Sequence, residues 1–331
     1  MAGPQPDGEV TVIVVTWEGK DLALEALASL ERQTIRHRVL VVDNASTDGT
    51  REAVAARFPL AKVLRLNANR GFAGGVAAAL AEIDTRFVAL LNNDAVADPA
   101  WLEESLALFG DPAVAAVTAK ILLSQATPHP VINNAGVVLL HSGYGADRGL
   151  GDVDMGRYAE VANVFGFSGG AAVLRTLAVK AVGGFRDDYF MYYEDTELSW
   201  RLRLAGWQIR YCPRAVVTHI HGASAGPGSP MFATRTEGNR LRMLWSHAPV
   251  TFAAAATARF AVTTASLTVQ RLSGRPPVSP VLDSRLRWRL LGSVLTEIPR
   301  LLIDRWGSGT RRDRQRVFRH WRGVPARTLE S

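Results

Sequence analysis

The sequence predicts an α/β fold, a mostly parallel sheet flanked by helices, with a C-terminal helical extension. Three observations carry this. Short runs apolar on both faces, such as Val10 to Thr16 and Phe87 to Leu91, alternate with segments of helical period, the pattern of a parallel sheet covered on both sides. The chain has 331 residues and is nearly half hydrophobic, enough for one large domain and an appendage. After residue 226 the composition shifts and arginine becomes dominant. The expected division is a domain over 8–225 and an amphipathic, basic helical region over 226–331.

Taken in order, VTVIVVT at 10–16 is a strand rich in β-branched residues, and Leu22, Ala26 and Leu30 mark one face of the helix that follows. RVLVVD at 38–43 is a second buried strand, closed by the turn STDGT and a short helix that stops before Pro59. Lys62 to Leu66 is a third. The loop NANRGFAGG at 67–75 leads into an alanine-rich helix. Its glycines allow close backbone approach, and the helix start offers N–H groups to a phosphate, although a plain structural turn uses the same residues. The spacing is not that of a dinucleotide fingerprint.

Phe87 to Leu91 is the central strand, and it ends in Asn92, Asn93 and Asp94. A carboxylate just past the end of a buried strand lies where open α/β sheets bind ligands, and it suits a hard cation carrying phosphates. An ordinary polar turn fits the same three residues. Asp98-Pro99 is expected to open a helix as N-cap and first helical residue, running to Phe109. A strand follows at 114–119. Residues 124–161 hold a hairpin or a loop facing an acceptor.

Further along, Ser168-Gly169-Gly170 is a tight spot between apolar flanks, and Gly183-Gly184 is a turn. Glu194 and Asp195 start a helix that Gly206 stops. Acidic residues there favour the helix dipole, which keeps them ionised, and Arg201 and Arg203 are placed to pair with acids. In THIH at 218–221 the two histidines of a strand point to opposite faces, so one of them at most serves a given site. GPGSP at 226–230 is a linker. The Ala/Thr/Val run at 248–270 is broken by Arg259, which argues against a membrane span. Arg285 to Arg305 mixes Leu, Ile and Trp with Arg, as a helix lying in a membrane interface does, and as a helix packed on the main domain also does.

The net charge is +7, and about a dozen arginines fall between 285 and 327. An anionic phospholipid surface or a nucleic acid would match that bias. The first 225 residues carry no motif for reading nucleic acid, so no nucleic-acid partner is expected. Cys212 is the only cysteine, which rules out a disulfide within the chain and fits a reducing compartment. The N-terminus MAGPQPDGEV has neither the basic start nor the apolar core of a secretory signal.

Together and in this order, VIVVTW at 12–17, VVDNASTDGT at 41–50, NRGFAGG at 69–75, LLNNDA at 90–95, GFSGGAAVLR at 166–175, VGGF with YFMYYEDTELSWRLRLAGW at 182–207, and TH at 218–219 resemble the family 2 inverting glycosyltransferases of the Rossmann-like GT-A fold. The likeness is strongest to the bacterial rhamnosyltransferase-like branch. It implies that Thr16, Asp43, Asn44, Arg70, Asn92 and Asn93 bind the donor nucleotide and its phosphates, with Asp43 accepting from the base. It implies a divalent metal, Mg²⁺ or Mn²⁺, held by Asp94 and His219, with His221 turned away. Asp195 matches the catalytic base, and Glu194, Ser168 and Gly169 border the acceptor. A dTDP- or UDP-sugar donor follows, with rhamnose from dTDP-rhamnose first and galactofuranose or another hexose from UDP as the alternative. The acceptor implied is a glycan or polyprenyl-diphosphate-linked precursor. The enzyme is expected in the cytoplasm, peripheral at the inner face of the cell membrane. The chain departs from the family at Trp17-Glu18 and at Val76-Ala77, where asparagine is frequent. A basic nucleic-acid-binding protein and a nucleotidylyltransferase are the alternatives outside this class. The second calls for a glycine-rich Arg/Lys loop after the first strand, which Thr16-Trp17-Glu18-Gly19 is not.

Overall fold

The computed structural model describes residues 9–125, 128–219, 229–274, 277, 279–307 and 309–325. The chain begins with β1 (Val10–Thr16), α1 (Lys20–Leu30), β2 (Arg38–Asp43), α2 (Thr50–Arg57), β3 (Lys62–Arg65), α3 (Gly71–Ala81) and β4 (Phe87–Leu91). It continues through β5 (Ala95–Ala97), α4 (Trp101–Ala107), β6 (Val114–Leu123), β7 (Ile132–Asn134), β8 (Val137–Leu139), β9 (Gly145–Asp147), β10 (Ala162–Asn163) and β11 (Ala171–Arg175). Then come α5 (Thr176–Ala181), α6 (Glu194–Leu204), β12 (Gln208–His219) and four helices, α7 (Pro230–His247), α8 (Val250–Leu272), α9 (Ser284–Asp304) and α10 (Arg311–Trp321).

The main sheet has the order β10-β12-β6-β11-β4-β1-β2-β3. From β4 to β3 it is parallel, as the alternating pattern predicts. As expected the sheet is mostly parallel and not wholly so: β11 runs antiparallel between β4 and β6. A strand can enter that slot antiparallel because the chain returns from the β8–β9 hairpin without a crossover helix. Every residue of β1 is buried, and alternate residues serve opposite faces: Val12 and Val14 pack with Leu27 and Val41, Ile13 and Val15 with Leu40, Val76 and Leu90.

Helix starts differ from expectation at two places. The glycine-rich stretch is not loop: α3 begins at Gly71 and takes in GFAGG, with Gly71 seated against the Phe190 backbone and Gly75 against the Val15 side chain. Asp98-Pro99 does not open α4: Ala100 takes the N-cap position and the helix begins at Trp101. Asp98 instead accepts from the Ala100 N–H at 3.1 Å, closing a turn one step ahead of the helix.

The C-terminal helices share a third core with α6, in which Trp200 and Phe318 stack at 6.3 Å and Leu241, Leu244 and Trp321 are buried. Helix α7 falls in the helical region expected after 226, although no helix was read at its own position. Ser229 caps it by accepting from the Phe232 N–H at 3.0 Å, and Pro230 takes its first turn. By length and composition α8 is able to cross a membrane despite Arg259, and only 22% of its most apolar stretch is buried. His221, most of the GPGSP linker and the expected boundary near 225 lie outside the described residues.

Candidate active site

The carboxyl ends of β1, β2 and β4 come side by side, and their residues form one wall of a cleft of about 860 Å³. Thr16 pairs with Asp43 across the parallel ladder. The Asn93 side chain donates to Thr16 Oγ1 at 3.2 Å. Asn44 spans to the start of α3, donating to the Gly71 carbonyl at 2.9 Å and accepting from the Arg70 N–H at 3.2 Å. Asp43 lies beneath this wall, fully buried. Its Oδ1 accepts from the Ser46 N–H at 2.8 Å, while Oδ2 has no hydrogen bond among the described residues and sits 3.9 Å from Arg65 Nε.

Asp94 and His219 meet through β5. That strand follows Asp94 directly and pairs antiparallel with the end of β12, setting His219 opposite Ala95. His219 Nε2 and Asp94 Oδ1 are 2.9 Å apart. Two ligands in adjacent positions of an octahedral ion, each at about 2.1 Å, stand about 3.0 Å apart, so the spacing fits a small divalent cation as well as a hydrogen bond. No third His, Cys, Asp or Glu joins them among the described residues, and both residues line the cleft.

The opposite wall is the start of α6 with the 168–170 turn. Asp195 Oδ2 accepts from the Gly169 N–H at 2.8 Å, and Oδ1 accepts from the Thr196 N–H at 2.5 Å and from its hydroxyl at 3.0 Å. A Cβ at Gly169 would press on the Phe72 ring at 3.0 Å and touch the carboxylate at 3.6 Å, so glycine suits this close turn. The turn is tied to the first wall by the Asn92 N–H, which donates to the Gly170 carbonyl at 3.0 Å, and Ser168 holds its own turn by accepting from the Gly170 N–H. Helix-start placement was expected to keep Asp195 readily ionised. Burial outweighs it and pushes the carboxyl above its ordinary value, despite the three hydrogen bonds. Burial, and then the charge of Asp195, drive Glu194 well above its ordinary value, and its Oε2 is buried without a hydrogen bond among the described residues.

The chain reaches this wall through strained backbone. Phe190, Tyr192 and Tyr193 all have positive φ, of 60°, 67° and 69°, each at a cost of about 1–3 kcal/mol. The segment is seated on α3: the Ala73 N–H donates to the Phe190 carbonyl at 3.0 Å, and Gly71 permits the approach, since a Cβ there would come within 2.2 Å of that oxygen. Behind Asp195, Glu197 is fully buried. It accepts from Arg201 Nε, shared between its two oxygens at 2.9 and 3.0 Å, from Arg201 Nη2 at 2.6 Å, and from His247 Nε2 at 2.8 Å. Burial alone raises this carboxyl, but Arg201 and His247 prevail and hold it far below the usual range. Of the two arginines expected to pair with acids, Arg201 does so. Arg203 instead donates to the backbone carbonyls of Phe165, Val164, Trp207 and Ile209 and to the Asn163 side chain.

The cleft therefore gathers Thr16, Asn44, Asn92, Asn93, Asp94, Ser168, Gly169, Glu194, Asp195 and His219. Asp43 stays below its surface, and the Arg70 guanidinium is turned to Asp187 at 2.8 Å. Trp17, noted in the sequence only as a departure from the family, is 55% exposed at the cleft, and the sequence reading missed Asn133 and Asn134 of β7 and Met231 and Phe232 of α7. The polar pair in an otherwise apolar stretch and the Ser-Pro cap before Met231 were the available signals.

A family model described as "Glycosyltransferase like family 2" matches residues 6–241. The chain is 35% identical over 186 residues to a pre-mycofactocin glycosyltransferase of Mycobacterium tuberculosis, covering 56% of this chain but only 37% of that protein. It is 29% identical over 253 residues to the N-acetylglucosaminyl-diphospho-decaprenol L-rhamnosyltransferase of the same organism, covering 67% of this chain and 80% of the relative. Among solved structures it is similar to a mannosyltransferase from Pyrobaculum calidifontis in complex with GDP-Man and Mn²⁺, at a TM-score of 0.52 and 19% identity over 95% of this chain and 79% of that one.

Proposed function

The chain belongs to the family 2 glycosyltransferases with a GT-A fold, and from that premise we propose that it transfers a sugar with inversion from a nucleotide-diphosphate donor to a glycan hydroxyl. The observation that carries the reading is the sharing of one cleft by the Asp94–His219 pair and Asp195 on facing walls.

In this reading the acceptor hydroxyl oxygen attacks the anomeric carbon, the bond from that carbon to the diphosphate oxygen breaks, and the nucleoside diphosphate leaves with the electron pair. The hydroxyl proton passes to Asp195. The Gly169 and Thr196 hydrogen bonds fix the direction of the carboxylate, and a value raised by burial makes it a stronger base than an ordinary aspartate. Glu194, Ser168 and Gly169 border the acceptor. Asp94 and His219 would hold a divalent cation, which neutralises charge on the departing diphosphate when bound. Thr16, Asn44, Asn92 and Asn93 line the donor end. Asp43 Oδ2, buried beneath the wall and 3.9 Å from Arg65, meets an N–H of the base in this reading only if the wall above it shifts on binding, and Trp17 offers a face for stacking. Arg70 reaches the phosphates by leaving Asp187, an exposed pair worth about 0–1 kcal/mol.

The first-choice donor is dTDP-rhamnose, with a UDP-hexose or UDP-galactofuranose as the alternative, and the acceptor class is a polyprenyl-diphosphate-linked glycan. The rhamnosyltransferase relative, named for a decaprenol-diphosphate-linked acceptor, supports the acceptor class, whereas the choice of donor rests on the family resemblance. Peripheral attachment to the inner face of the cytoplasmic membrane is supported by exposed apolar residues beside arginines: Val262, Val269 and Leu272 on α8, and Trp288, Leu295 and Ile303 on α9. The test is calorimetric binding of UDP and of dTDP, with and without Mn²⁺ or Mg²⁺, to wild type and Asp94→Ala. Metal-dependent binding of one nucleotide, lost in the variant, is expected. Binding that ignores both the metal and the substitution would remove the metal pair from the reading.

A further inference from the structure

The strained segment before Asp195 is held from an unexpected direction. Asn239, fully buried on α7, points its amide nitrogen at three backbone carbonyls, those of Tyr189 at 2.9 Å, Met191 at 3.0 Å and Tyr192 at 2.7 Å. These are the residues among which the left-handed conformations cluster. The amide cannot be turned over. Its oxygen accepts from Arg242 Nη1 at 3.1 Å, and an arginine only donates, whereas an oxygen facing three carbonyls would be repelled. Arg242 is itself fixed by a two-pronged pair with Glu297 of α9, at 2.8 and 2.7 Å. At the other end, the Tyr193 carbonyl accepts the first intrahelical bond of α6, from the Glu197 N–H at 2.8 Å. The path of residues 189–193 thus decides where α6 begins.

We propose that Asn239 is a positioning residue for the transfer: by clamping the 189–192 carbonyls it sets the start of α6 and hence the place of the Asp195 carboxylate against Gly169. The inference rests on reading Asp195 as the base, but its geometry is measured separately. It gives the C-terminal helices a part in catalysis through the path Glu297, Arg242, Asn239 and the 189–193 backbone.

The test compares the full chain with Asn239→Ala and Asn239→Asp. Aspartate keeps the shape of asparagine and loses its donors, so a role in packing alone would survive that change. Two readouts need no substrate. Amide hydrogen exchange is expected to speed up about tenfold or more over 189–197 and at Gly169 in both variants, while β1 and β4 exchange as in wild type. The Asp195 carboxyl, followed by ¹³C NMR and assigned by its loss in Asp195→Asn, is expected to titrate closer to an ordinary aspartate in both, as its burial loosens. Local change in both variants supports the clamp. Wild-type exchange and titration in both overturn it, and so does rescue by Asn239→Asp alone. Should Asn239→Ala not fold, Glu297→Gln at the protein surface carries the test, with the same pattern at smaller size expected and wild-type behaviour again overturning the proposal. Transfer by Asp195→Asn at the wild-type rate would sink the base reading while leaving the exchange result intact, so the two failures are told apart.

Discussion

On one side of the cleft, Thr16 ends the β1 ladder and Asn92 and Asp94 lie in the short turn between β4 and β5, with two positive-φ residues, Glu18 and Ala45, just beyond the ends of β1 and β2. On the other, Asp195 is reached through three non-glycine residues in left-handed backbone and is braced from α3, α7 and the buried Glu197–Arg201–His247 cluster. Strand ends place polar groups at little conformational cost, because the sheet has already fixed the backbone. A helix start within a protein has no such frame, and the strain stored before Asp195 persists only because distant elements over-determine it. The consequence is testable: the strand-end wall should tolerate local change, and the α6 wall should not.

The largest expected effect is on the chemistry. Asp195→Asn keeps the shape of the side chain but removes the base and one of the two acceptors that meet Gly169 and Thr196, so kcat is expected to fall by about 10²–10⁴-fold. Nucleotide binding at the strand-end wall should barely change, as calorimetry would show. Because burial raises the Asp195 carboxyl, the acidic limb of the kcat–pH profile is expected above the ordinary aspartate value of 3.8. A limb at or below that value would mean that the titrating group is elsewhere.

The next effect separates the walls by stability. Glu197→Gln leaves Arg201 and His247 with less charge to meet in a buried site, and a loss of about 3–5 kcal/mol in urea unfolding is expected. Its sign with pH follows from the lowered Glu197 value. The contribution is fully present above the unfolded value of 4.5 and is lost as pH falls towards the folded one, so stability in the variant should depend less on pH in that acid range. Asn93→Ala on the strand-end wall removes one neutral hydrogen bond and should cost about 0.5–1.5 kcal/mol. Equal losses would erase the contrast between the walls.

The same contrast explains what was legible in the sequence. Strands β1, β2 and β4 and the residues at their ends could be placed from apolar runs alone, because a buried strand is a local pattern and its end is where ligands gather. The Asp94–His219 pair came from family likeness. Its cause, the three-residue β5 that pairs with β12, is too short to leave a periodic signal. The lift in Asp195 was missed because the helix dipole is read from local sequence, whereas burial is a property of the packed molecule. Nothing local in YFMYY announces left-handed backbone at three bulky residues, since its partners are Asn239, about 50 residues away, and the Gly71 contact on α3.

Gly71→Ala probes the brace from α3. The new methyl would meet the Phe190 carbonyl at 2.2 Å, at a position with φ of 69°. A destabilisation of about 1–3 kcal/mol is expected, with faster hydrogen exchange over 189–193. A fully stable variant with unchanged exchange would mean that the segment sits easily without α3.

The smallest effect concerns the seam between the walls, where Arg70 pairs with Asp187 across exposed surface at 2.8 Å. For stability the pair is worth about 0–1 kcal/mol, so Arg70→Met and Asp187→Asn should both unfold near the wild-type midpoint. Donor kinetics should split them. If Arg70 belongs to the strand-end wall and leaves Asp187 for the donor phosphates, Arg70→Met raises the donor KM several-fold, whereas Asp187→Asn frees the guanidinium and leaves KM unchanged or lower. If the pair instead ties Arg70 to the segment before α6, both substitutions loosen that segment and lower kcat alike, with KM unmoved. Opposite signs in KM assign Arg70 to the donor, and equal losses in kcat assign it to the braces around Asp195.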